Sequence, residues 1–207
     1  MGRPMNEADL SLVDTIMDAV NQHSSSQSLL FNTSFTQIAK SNLLLLKGLL
    51  DYESKKGYFV VLDRPHQYMA YLLHMHDISQ ENIWYIDTVT HMSGTEKVES
   101  DNVDFVKGPF HIEHLFDAFQ PESEGETHFA SPKEIDFVLI DNISSMLNYN
   151  SMDKIEEFIE SFHHLIQSRN NLMGCVTIDK DSHSGLYKMI SKHFDNVIDI
   201  EELKKKR

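Results

Sequence analysis

The 207-residue sequence predicts an α/β fold, a mainly parallel sheet covered by helices on both faces, and three observations carry that expectation. Short apolar runs alternate with helical patterns along most of the chain, the order that feeds crossover connections between parallel strands. The run Tyr58–Leu62 is apolar at every position rather than at every second one, as a strand buried on both faces requires. A hydrophobic share of 41% is ample for a sizeable core, which excludes disorder as the general state of the chain.

The elements follow in order. Glu7–Val20 places Leu10, Val13, Ile16, Met17 and Val20 at helical spacing, with Asp9, Asp14 and Asp18 elsewhere on the wheel, so an amphipathic helix is expected. The polar, Ser-rich stretch Gln22–Gln27 reads as a hinge. Residues 1–27 are therefore expected to form a helix and hinge, and residues 28–207 the main α/β domain. That domain begins with an apolar run from Ser28 to Phe31 and a helix over about Phe35–Glu53, closed by Lys55, Lys56 and Gly57. Next come the strand Tyr58–Leu62, a helix over about Pro65–His76 with proline in its first turn, and a run Ile83–Ile86 ending at Asp87. The rhythm resumes with Ile135–Ile140 ending at Asp141, a helix Met152–Arg169, a strand Leu172–Ile178, a helix Ser184–His193 and a last run Val197–Ile200.

Between these halves, residues 91–134 carry a net charge of −7, half the protein's −14, and are expected to be an acidic surface insertion. Within it, Val103–Val106 suggests an edge strand, His111–Phe119 a short helix, and Gln120–Ser131 a mobile loop.

Composition excludes several functions. With 18 basic against 32 acidic residues, a nucleic-acid surface built from Lys and Arg is not expected. The longest unbroken apolar run, Leu43–Leu46, is far short of the roughly 20 residues that span a bilayer, so no membrane role is expected. The first twenty residues lack the apolar stretch of a signal peptide, and the lone Cys175 offers no intramolecular disulfide, which together suit a reducing cytoplasm.

In an open parallel sheet, ligands bind beyond the carboxyl ends of the strands. After the first strand, Lys40-Ser41 matches the final pair of a phosphate loop of the form GxxxxGK[ST]. Ser34 and Ala39 stand where the two glycines belong, and Phe35 and Ile38 put bulky side chains where backbone should approach an anion. The plain alternative is a helix start capped by Thr33 or Ser34 with Lys40 as an exposed cation. Asp141, ending an apolar strand, has the form that holds Mg²⁺ in phosphate-loop ATPases, although strand-end aspartates are also common turn residues.

The segment Ile135–Asn150, IDFVLIDNISSMLNYN, with the helix after it and the late Phe194–Ile200, FDNVIDI, resembles the RecA/KaiC-like ATPase superfamily, in particular its small archaeal members. The resemblance spans about residues 28–200 and implies a three-layer fold of the phosphate-loop NTPase type. It places Asp141 at the metal-holding aspartate and Lys40 and Ser41 near the loop's lysine and hydroxyl. It matches the acidic pair after the second strand, whose carboxylate orients water, to Asp63-Arg64, so that one acid is replaced by a cation.

The expectation is a non-catalytic relative with a degenerate loop, a pseudo-ATPase with no catalytic residue and no cofactor. It would act through a protein partner or self-association in regulation or signal transduction. In the alternative the chain binds ATP and Mg²⁺ through an atypical loop, with Ser34, Lys40, Ser41 and Asp141 as a residual nucleotide site and Asp63 and Asp141 as the catalytic pair.

Other clusters have structural explanations. No metal site is expected at His74-Met75-His76, at His111 with His114, or at His163-His164, since each lacks a clear third and fourth ligand. A histidine-rich metal protein stays open as a third reading. Cys175 sits in an apolar strand and reads as an inert thiol. The stripe Ile155, Phe158, Ile159, Phe162, Leu165 and Ile166 reads as a core face. The first helix is suited to its own domain, to exchange between subunits, or to another protein.

Overall fold

In a computed structural model, residues 5–23, 27–94, 100–106, 115 and 135–206 are described. Among the described residues seven strands lie in one sheet: β1 (Ser28–Asn32), β2 (Gly57–Val61), β3 (Ile83–Asp87), β4 (Val103–Phe105), β5 (Phe137–Ile140), β6 (Met173–Ile178) and β7 (Asn196–Asp199). Their order is β4-β3-β2-β5-β6-β1-β7, and every neighbouring pair is parallel. All strands therefore finish at one rim. The chain travels outward from β2 through β3 to β4 and then returns to β5 on the other side of β2. That reversal is a topological switch, where open α/β sheets place their ligands.

The helices are α1 (Glu7–Gln22), α2 (Ile38–Leu46), α3 (His66–Met75), α4 (Thr90–Ser93), α5 (Met152–Ser168), α6 (Ser184–Ile190) and α7 (Ile200–Lys205). Alternate strand residues feed two cores. Leu29, Phe31, Phe59, Val61, Phe137 and Leu139 face α1, α2, α3 and α7, whereas Leu30, Tyr58, Val60, Val138 and Ile140 face α5 and α6. This is the three-layer α/β arrangement that the sequence predicts. Val103–Phe105 is the edge strand. The expected helix at 111–119 and loop at 120–131 lie outside the described residues, apart from Leu115, which is buried in the second core.

The helix expected over Phe35–Glu53 comprises a 3-10 turn (Phe35–Gln37), α2, and a π-helical stretch (Lys47–Tyr52). Gly48 in that stretch lies under α1: a Cβ there would come within 2.3 Å of Met17 Sδ. Of the three uses open to α1, the structure shows the first, packing on its own domain. Asn6 caps α1 by accepting from the Asp9 N–H at 2.8 Å, and Leu12, Val13, Ile16, Met17 and Val20 are buried against α2, the π stretch and α7. The inward stripe uses Leu12 rather than Leu10. A second close approach ties β2 to β5, where Gly57 pairs with Phe137 and a Cβ would lie 2.4 Å from the Phe137 carbonyl oxygen.

The last strand ends at Asp199, one residue short of the expected run Val197–Ile200, and Ile200 instead opens α7. Asp199 caps this helix by accepting from the Glu202 N–H at 3.1 Å, and Ile200 is buried in the first core.

Candidate functional site at the carboxyl ends of the strands

Because the strands are parallel, their ends bring Asp63, Asp87, Asp141, Asp179 and Asp199 to one rim. Two acids, Asp179 and Glu201, determine the state of the turn after β1. The Phe35 N–H donates to Asp179 Oδ2 at 2.8 Å, and the Ser34 N–H donates to Glu201 Oε1 at 3.3 Å. Thr33 Oγ1 donates to the same Glu201 oxygen at 3.1 Å and also pairs with Ser41 Oγ at 2.8 Å. Backbone amides at this position are the donors a phosphate loop offers to an anion. Here they donate to carboxylates supplied by the end of β6 and by the first turn of α7.

Both carboxylates are held ionised. Burial alone would raise Asp179, but hydrogen bonds from Ser182, Phe35 and Asp181 outweigh it and leave its pKa below the ordinary value. Burial would likewise raise Glu201, but Lys204 and hydrogen bonds from Ser34 and Thr33 outweigh it and leave this carboxyl below its ordinary value too. Asn32 and Lys180 both donate to Asp199, so the ends of β1, β6 and β7 form one polar network.

Of the candidate residues from the sequence, Asp63 and Asp141 come together, whereas Ser34, Lys40 and Ser41 each take other partners. Ser34 faces Glu201, and Ser41 is buried against Thr33. Lys40 reaches out to Asp9 of α1, with Nζ 2.5 Å from Oδ1 and its side chain 48% exposed. Phe35 turns to solvent and Ile38 into the core, so the bulky side chains singled out in the sequence are not what meets the amides. Glu201 and Asp179 carry no motif in the sequence. The only signal for Asp179 is its place after the apolar strand, the same signal that marks Asp141.

The switch between β2 and β5 holds the second half of the site. Asn42 Nδ2 donates to Asp141 Oδ1 at 2.5 Å, and Asn142 Nδ2 approaches Asp63 Oδ2 at 3.4 Å. Asn142 has φ 43°, in the left-handed region that asparagine tolerates better than most residues, and its side chain also donates to Ser145 Oγ at 2.8 Å. Burial, followed by the negative charge of Asp63, pushes the Asp141 carboxyl well above its ordinary range. Asn42 Oδ1, Asp63 Oδ1, Asn142 Oδ1 and Ser144 Oγ are buried with no hydrogen-bond partner among the described residues. Such a group of oxygens beside two carboxylates has the chemistry to take a hard divalent cation. A cavity of about 250 Å³, lined by Leu62, Asp63, Val89, Met92, Ser145 and Tyr149, opens beside it.

Sequence reasoning missed the third feature of the rim. Asp87 accepts from the N–H and Nδ1 of His66, the N–H groups of Val89 and Thr90, and the Thr90 hydroxyl, all at 2.7–2.8 Å. Burial opposes these bonds, yet they bring its pKa down to about 2. The pair is packed between Tyr85 and Phe105, whose ring centroids lie 5.8 and 5.4 Å from that of His66.

No family model and no curated protein matches the sequence. Solved structures do match it in fold. A KaiC-like protein from the hyperthermophilic archaeon Pyrococcus horikoshii OT3 superposes with a TM-score of 0.55 at 14% identity, over 84% of this chain and 72% of the other. A second protein of the same organism gives 0.51 at 11% identity, over 84% of this chain and 81% of its own. The resemblance read from the sequence is thus matched by a RecA/KaiC-like fold. Among the described residues, no helix is long and apolar enough to cross a membrane.

Proposed function

We propose that this chain is a RecA/KaiC-like module that does not hydrolyse ATP and acts through contacts with a protein partner or a second copy of itself, in a regulatory or signal-transduction role. The observation that carries the proposal is the pair of bonds from the Ser34 and Phe35 N–H groups to Glu201 and Asp179. A triphosphate entering this turn would have to displace two ionised carboxylates, and until they moved it would meet their like charge at close range. Of the cations near the turn, Lys40 is engaged with Asp9, Lys204 with Glu201 and Lys180 with Asp199. Support for protein contacts comes from the same rim, where Phe35, Met92 and Tyr149 stay 56%, 40% and 41% exposed.

The test is a thermal melt of the full chain with and without Mg-ATP, beside the double variant Asp179→Asn, Glu201→Gln. A ligand at a hundredfold excess over its Kd adds about 2.7 kcal/mol to the folded state. The expected result is no shift for the native chain. A clear rise in its melting temperature refutes the proposal.

A second reading, in which the chain binds ATP or turns it over weakly through an atypical loop, is favoured by the retained Asp141 and Asp63 with their unpartnered oxygen neighbours. In this reading Asp141 would be the carboxylate on a magnesium ion and Asp63 would orient water, with Arg64, 3.7 Å from Asp63 Oδ1, as the cation a metal has to displace. The turn after β1 does not offer the matching phosphate seat. This reading predicts ATP turnover that collapses on Asp141→Ala.

A further inference from the structure

The outer helical layer holds a group of donor atoms that the strand-end rim does not use. Glu156 and Glu160 stand one turn apart on α5, so their carboxylates leave the same face of the helix. The 3-10 turn Ser191–His193, which follows α6, brings His193 over them. Its Nε2 lies 3.3 Å from Glu156 Oε1 and 3.6 Å from Glu160 Oε1, and one donor atom from each of the three residues lies within 4.8 Å of the other two.

These separations have a specific meaning. Zinc bonds to histidine nitrogen and carboxylate oxygen are about 2.0–2.2 Å long, which puts neighbouring ligand atoms of a tetrahedron roughly 3.3–3.6 Å apart. The two His–Glu distances fall on that edge without any movement of the side chains. One imidazole and two carboxylates, with a fourth position open to water, is a donor set of the zinc type.

One native group competes for the place. Lys192 Nζ sits 2.5 Å from the same Glu156 oxygen, on a side chain that is 60% exposed. An exposed ion pair of this kind holds only weakly, so the ammonium can leave for solvent when a metal arrives.

We propose that Glu156, Glu160 and His193 form a surface site for a divalent transition metal of the zinc class, one that fastens α5 to the turn leading into β7. None of these residues belongs to the histidine clusters conspicuous in the sequence, because the three ligands are assembled from two helical segments more than thirty positions apart.

The experiment is a Co²⁺ titration of the untagged full chain, followed by the visible absorption of four-coordinate cobalt, with Zn²⁺ displacement measured by calorimetry. The expected result is one saturable equivalent. Glu160→Gln and His193→Gln should each weaken binding at least tenfold, Lys192→Met should tighten it several-fold, and His163→Gln should leave it unchanged. Circular dichroism checks that each variant is folded, and Glu160, at 53% exposure, is unlinked to the core. Absence of a saturable equivalent, retention of affinity in both ligand variants, or weaker binding by Lys192→Met overturns the proposal.

Discussion

Replacing Asp87 by asparagine tests the account of the rim most directly. The ionised carboxylate is acceptor-only, so all five groups around it, including His66 Nδ1, must donate. The carboxamide introduced by Asp87→Asn would turn an NH₂ toward either the Val89 and Thr90 amides or the His66 and Thr90 donors, leaving at least two buried donors without an acceptor. At about 1–3 kcal/mol for each unsatisfied group, a loss of roughly 3–4 kcal/mol is expected at pH 7. The pKa gives a second, independent figure. A fall from 3.8 to about 2 corresponds to about 2.4 kcal/mol of stability at neutral pH.

The sign follows from the depressed folded value. The contribution is complete above the unfolded pKa and is lost as pH falls through the folded one, so about 1.3 kcal/mol of it remains at pH 3. Urea denaturation followed by the fluorescence of Trp84, the chain's one tryptophan, should therefore show a gap between native and Asp87→Asn protein that narrows by about 1 kcal/mol from pH 7 to pH 3. A gap of the same size at both pH values, or one below about 1 kcal/mol at pH 7, refutes the reasoning.

Three further outcomes are expected. Gly57→Ala should cost more than about 2 kcal/mol in the same urea assay, because its Cβ would meet backbone oxygen rather than a yielding side chain. Asp141→Asn should leave stability unchanged or raise it at pH 7, since the native carboxyl is penalised when ionised by burial and by Asp63, and any gain should vanish in acid, where Asp141 is already neutral. Cys175 is fully buried and its thiol is pushed up to about 12 by desolvation, so a thiol reagent should label it only at the rate of global unfolding, and prompt labelling of native protein would contradict this.

The sheet was legible because its strands are short continuous apolar runs, and the helices because α1 and α5 carry clear stripes. Asp63 and Asp141 were legible as sites because they end such runs. The partners that give the rim its character were not. Glu201 meets Ser34 across 167 positions and Asp179 meets Phe35 across 144, and no local spacing encodes such contacts. Asp87 is marked as the end of an apolar run, but nothing in the sequence pairs it with His66, 21 positions earlier. The division of the α2 region into three helical forms has no signal in the hydrophobic spacing, nor does the close approach of Gly48 to Met17.

Glu201 and Asp179 give the chain a counter-ion of its own making, delivered from the far end of the sequence. Placing glycines at positions 34 and 39 would loosen the turn and leave its charge balance untouched. Any anion approaching this turn would first have to part Glu201 and Asp179 from its amides, so α7 and the end of β6 govern what the turn accepts more than the loop residues do.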